Sequence, residues 1–74
     1  MKEYDTVVLT RSLPEYGLEA GDVGAVVHTY EADKAFEVEF VSGGGETVAV
    51  VTLEQDALRS VDKGEILHVR RVLA

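Results

Sequence analysis

The sequence predicts an all-β fold, a small closed barrel of five strands with one helical turn before the last. Three observations carry this. Short β-branched and aromatic runs are separated by glycine-rich turns. The spacing Gly-x3-Gly-x2-Gly-x-Val at Gly17, Gly21, Gly24 and Val26 delivers a strand through a glycine-bent loop. Phe36, Val38 and Phe40 alternate with Glu37 and Glu39, the cleanest period of two in the chain. Closing the sheet hides edges that a chain of 74 residues could not otherwise cover.

Strand one is expected over Tyr4 to Thr10, ending before a long loop, Arg11 to Gly17, punctuated by Pro14. Gly21 and Gly24 bracket Asp22-Val23, and strand two runs from Val23 to Tyr30. Glu31-Ala-Asp-Lys34 is a short polar turn into strand three, whose Phe36, Val38 and Phe40 face the core while Glu37 and Glu39 stay wet. Ser42-Gly-Gly-Gly45 closes a hairpin into strand four, Glu46 to Thr52, which is apolar on both faces and therefore expected to be covered on both sides. Thr52-Leu-Glu-Gln55 matches a capping box, placing a single helical turn that ends near Arg59. After the turn Asp62-Lys-Gly64, Glu65 to Leu73 reads as the last strand, with a C-terminal helix as the rival assignment.

The chain is one domain, residues 1–74, of 8.0 kDa. At 46% hydrophobic residues it can form a core and is not a disordered tail. It has no cysteine and no apolar run long enough to cross a bilayer, and Met1 opens straight into a strand pattern, so a cytoplasmic location without membrane association is expected. Fourteen acids against seven bases give a net charge of −7. The distribution is uneven: Met1 to Leu58 carries −9, and Arg59 to Ala74 carries +2. Such a body repels phosphate backbones and attracts basic surfaces.

The Gly17, Gly21, Gly24 and Val26 pattern resembles the KOW-type motif of SH3-like domains found in ribosomal proteins and transcription elongation factors. Tyr4-Asp-Thr-Val-Val-Leu-Thr-Arg11, Leu13-Pro-Glu15, Gly21-Asp-Val-Gly-Ala-Val-Val27, Glu37-Val-Glu-Phe40 and Gly64-Glu-Ile-Leu-His-Val-Arg70 look like a small bacterial family of unknown function spanning the whole chain. The resemblance implies an SH3-like barrel and no established chemistry. Some members of that family look like small partners encoded beside toxin-like proteins.

No catalytic signature is present. His28 and His68 form no local ligand pair, so no metal is expected. Ser42-Gly-Gly-Gly45 lacks the lysine and following helix of a phosphate cradle, and neither a nucleophile elbow nor any cysteine occurs. The expectation is a protein that is not an enzyme and binds no cofactor. Glu37 and Glu39, with Glu31 and Asp33 in the adjoining turn, form an acidic face suited to a basic protein partner. Leu13, Tyr16 and Leu18 of the first loop are expected to add apolar contact, although Leu13 and Leu18 could instead fold back over the barrel end.

The expected function is a non-catalytic protein-interaction module, with an antitoxin- or immunity-like role as its concrete version. Arg59, Lys63, Arg70 and Arg71 support an alternative, a KOW-like nucleic-acid or ribonucleoprotein accessory domain. The net negative charge and the lack of an exposed aromatic platform oppose it. A third reading is a self-associating protein that pairs through an edge at Thr47 to Leu53 or through the C-terminal strand.

Overall fold

The computed structural model describes residues 1–72. Five strands, β1 (Thr6–Leu9), β2 (Val23–Tyr30), β3 (Ala35–Val41), β4 (Thr47–Glu54) and β5 (Leu58–Ser60), form one antiparallel sheet in the order β4-β3-β2-β1-β5. Three 3-10 turns, Pro14–Tyr16, Glu31–Asp33 and Gln55–Ala57, are the helical elements among the described residues.

The connection between β4 and β5 dictates the curvature. These strands are opposite edges of the sheet, yet only Gln55–Ala57 separates them. In a flat sheet four strand spacings would hold them about 19 Å apart, whereas the backbone from Glu54 to Leu58 reaches at most about 14 Å when fully extended. The sheet therefore curls on itself into a barrel-like shape. Phe36, Val38 and Phe40 point to its inside with Val7, Leu9, Leu18, Val26, Val51, Leu53, Ala57 and Leu58. The alternation read in β3 holds: those three apolar residues are at most 3% exposed, and Glu37 and Glu39 lie on the opposite face.

Gly24 leaves no room for a side chain between β2 and β3. A Cβ there would lie 2.8 Å from Val38 Cγ1, 2.9 Å from the Glu39 carbonyl oxygen and 2.9 Å from Phe40 Cε1. Gly21, at φ +95°, turns the chain just before β2, and its N–H donates to the Leu9 carbonyl at 2.8 Å.

Two bulges re-phase the strands. On β2, Val26 opposes Val38, but His28 opposes Glu37, so the extra residue Val27 turns His28 and Tyr30 outward. On β4, Ala49 opposes Phe40, but Thr47 opposes Val41, so the extra residue Val48 turns Thr47 outward.

Three expectations need correction. The last strand is Leu58–Ser60, paired with β1, and Glu65 to Val72 is neither strand nor helix; Leu73, at the end of the expected strand, lies outside the described residues. The capping box is not formed: β4 continues through Thr52 to Glu54, the Thr52 hydroxyl turns to Glu37, and the turn at Gln55–Ala57 has no side-chain cap. Finally, β4 is an edge strand covered on its inner face alone, which leaves Val50 48% exposed.

Val38→Asp buries an unpaired charge at a cost of several kcal/mol and is expected to abolish the cooperative thermal transition, as followed by circular dichroism. Gly24→Val forces apart β2 and β3, and overpacking of about 1–3 kcal/mol should lower Tm by roughly 10 °C. Gly44, with open space around it, serves as the control, and Gly44→Ser should melt with the wild type.

Candidate functional site

The outer face of β2, β3 and β4 carries the acidic residues singled out in the sequence. Period-two geometry puts Glu37 and Glu39 on one side, and the register places His28 and Thr52 beside Glu37, with Ala25 and Val50 beside Glu39. Both carboxylates are half-buried and fixed by hydroxyl donors. Tyr30 Oη donates to Glu37 Oε1 at 3.2 Å and Thr52 Oγ1 donates to the same oxygen at 3.4 Å. Thr47 Oγ1 donates to Glu39 Oε2 at 2.6 Å. Desolvation, and then the Glu37 charge, hold the Tyr30 phenol above its ordinary pKa, so it remains a donor at neutral pH. The His28 ring packs edge-on against Tyr30, with centroids 4.5 Å apart.

The bulges supply part of this arrangement. Tyr30 and Thr47, one donor for each glutamate, face outward because Val27 and Val48 shift the alternation. The result is a pair of oriented acceptors with reduced rotamer freedom, each keeping a second oxygen for an incoming cation.

Glu31 and Asp33 extend the acidic face at the β2–β3 turn. Both are exposed, and with Ala32 they form three successive residues at positive φ, 35°, 54° and 66°. Such a backbone costs on the order of 1–3 kcal/mol per residue.

The first loop divides between the two readings that the sequence leaves open. Leu13 and Leu18 exchange both backbone hydrogen bonds, at 2.9 and 3.1 Å, pinching the loop into a closed lobe. Leu18 is 3% exposed and belongs to the core, so its side chain is not available as a contact, and Leu13 packs half-buried against that core. Tyr16, 45% exposed, is the loop aromatic that faces solvent.

The basic C-terminal cluster is partly committed within the chain. Arg59 forms a two-pronged pair with Glu65 at 2.7 and 2.8 Å, which fixes the turn after β5. Arg70 does more: Nε donates to Asp22 Oδ1 at 2.8 Å, Nη2 donates to Asp22 Oδ2 at 2.6 Å, and Nη2 also reaches the Gly17 carbonyl at 2.9 Å. This clasp ties the tail to the glycine loop 48 residues away. No local spacing rule announces a pair so distant in sequence. Between the tail and the barrel lies an open groove lined by Val23, Phe40, Val41, Val48, Leu67 and Val72, among others.

Among the described residues no cluster of three or more His, Asp or Glu side chains has a metal-holding arrangement, and no helix is long and apolar enough to cross a membrane. His28 and His68 are both exposed and lie on separate parts of the chain, the sheet and the tail.

Hydrogen bonding to Arg70 lowers the Asp22 pKa. With the folded value depressed, the clasp contributes stability above about pH 4 and loses it as acid protonates the carboxyl below that. Tail amide signals in nuclear magnetic resonance spectra are therefore expected to shift in an acid step below about pH 4. In Arg70→Gln the Val69 to Val72 signals should be displaced already at neutral pH and lose that step, while the step from Glu65, whose pKa hydrogen bonding to Arg59 also lowers, should remain at the start of the tail.

No curated protein and no solved structure matches the chain. The family model described as Domain of unknown function (DUF4926) matches residues 3–60, ending with the last residue of β5. With most of its length covered, including all five strands and the glycine loop, the chain belongs to the DUF4926 family.

Proposed function

We propose that this domain is a non-catalytic interaction module that binds a basic protein surface through the outer face of β2, β3 and β4. The observation that carries the reading is the pair Glu37 and Glu39, held on one face by the hydroxyls of Tyr30, Thr52 and Thr47. Ordered carboxylates with free acceptor capacity suit the forked donors of arginine and the point charge of lysine. Glu31 and Asp33 widen the negative field, and exposed Tyr16 is the aromatic contact that the first loop offers. The long-range attraction of a body carrying −9 over Met1 to Leu58 speeds encounter with a positive partner.

In its concrete version the module is an antitoxin or immunity protein. Its carboxylates would sit where phosphate sits in the basic active site of a nuclease, excluding nucleic acid by charge mimicry. The nucleic-acid alternative is the weaker one, because Arg59 and Arg70 spend their guanidinium groups on Glu65 and Asp22.

Pull-down of the tagged protein from its native lysate at low and high salt tests the reading. A basic protein should be captured at low salt and released as ionic strength rises well above about 0.15 M. Glu37→Lys with Glu39→Lys should slow association by at least about tenfold with Tm nearly unchanged. Co-purified RNA that is lost on Arg71→Glu, with capture indifferent to the glutamates, would instead establish the nucleic-acid role.

A further inference from the structure

β4 is an unprotected edge. Among the described residues no strand pairs with it on the side away from β3, and its eight residues Thr47–Glu54 contain no proline and no charge before Glu54 at the end. Charge, proline or a covering element is how stable proteins blunt such a strand. Val50 stands 48% exposed at its centre.

The tail Glu65 to Val72 has the complementary character. It is equally long, rich in β-branched residues and not built into the sheet, with Ile66 89%, Leu67 64% and Val69 92% exposed. Extended, its centre alternates, with Leu67 and Val69 on one side and His68 and Arg70 on the other; Glu65 and Arg71 flank the first pair, Ile66 and Val72 the second. β4 alternates in the matching sense. Ala49, Val51 and Leu53 face inward, while Val50 and Thr52 face outward beside Glu39 and Glu37. A tail strand laid along β4 would continue the apolar inner surface with Leu67 and Val69, and would bring His68 and Arg70 beside Val50 and Thr52, with β4 between them and the two glutamates of β3.

The pairing does not form within one chain. Glu65 is held at Arg59 and Arg70 at Asp22, and the tail shares its groove with Val48 at the start of β4 while Val50 remains uncovered. Antiparallel pairing of two β4 edges is disfavoured by charge, since the register centred on Val50 opposes Glu46 with Glu54 at both ends. Residues 1–60 carry −8 and residues 61–74 carry +1, so a tail meets a second copy's sheet with favourable charge.

We propose that the tail of one copy adds as a strand to the β4 edge of a second copy, reciprocally, closing a two-fold dimer. The Arg70–Asp22 clasp opposes this exchange, because Arg70 must leave Asp22 to reach the partner's sheet.

Sedimentation velocity of the full chain, from about 10 µM to about 1 mM, tests the proposal. A concentration-dependent dimer is expected. Val50→Lys and Val69→Asp, each at an exposed position, should separately weaken it by at least about tenfold, and Asp22→Asn should strengthen it by about tenfold. Mixing Val50→Lys with Val69→Asp should restore a heterodimer, since one tail and one edge of the mixed pair remain native. That recovery also excludes misfolding as the cause of the single losses. A monomer across the whole range would overturn the proposal, as would a dimer that ignores either single variant or fails to recover on mixing.

Discussion

The absence of a side chain at Gly24 is the constraint on which the barrel depends. Val38 and Phe40 occupy the volume that a Cβ would claim, and the Glu39 carbonyl approaches the same point. That approach brings β3 against β2 closely enough for Phe36, Val38 and Phe40 to fill the interior of a domain with little core to spare. Once those three residues face inward, the pleat fixes Glu37 and Glu39 outward. Core packing and the acidic face thus follow from one close contact.

What was legible in the sequence was whatever repeats locally. The Phe36 to Phe40 alternation, the glycine loop and the start of β2 needed only near neighbours to be read. β5 is not legible because three residues carry no period; Leu58-Arg59-Ser60 becomes a strand through pairing with Val7, Val8 and Leu9. β4 reads as a covered strand because composition states apolarity but not position in the sheet, and an edge is defined by the missing neighbour. The tail is the reverse case, since Ile66, Leu67 and Val69 look like a strand but join no sheet within the chain.

The candidate site divides along the same line. Glu37, Glu39, Glu31 and Asp33 were readable because alternation and turn composition expose them. Their hydroxyl partners were not, since Thr47 and Thr52 reach across from β4 through a register that only the folded sheet defines. Leu18 is left open by the sequence because a leucine in a loop reads the same whether it caps the interior or faces a partner. Asp22 and Arg70 were both visible as charges, but their pairing depends on how the tail returns to the glycine loop.

The two bulges give the acidic face an unusual tolerance of chain length. Val27 is one residue more than the ladder to β3 requires: with it removed, Val26 would still face in and His28 and Tyr30 out under plain alternation. With Val48 removed, Ala49 would still face in and Thr47 out on β4. Point substitutions on this face remove one group at a time, whereas the loss of either extra residue leaves both glutamates beside their hydroxyl donors. Related chains that keep the glutamates but lack either extra residue would therefore present them in the order seen here, and the bulges mark the places where these strands accommodate a change of length.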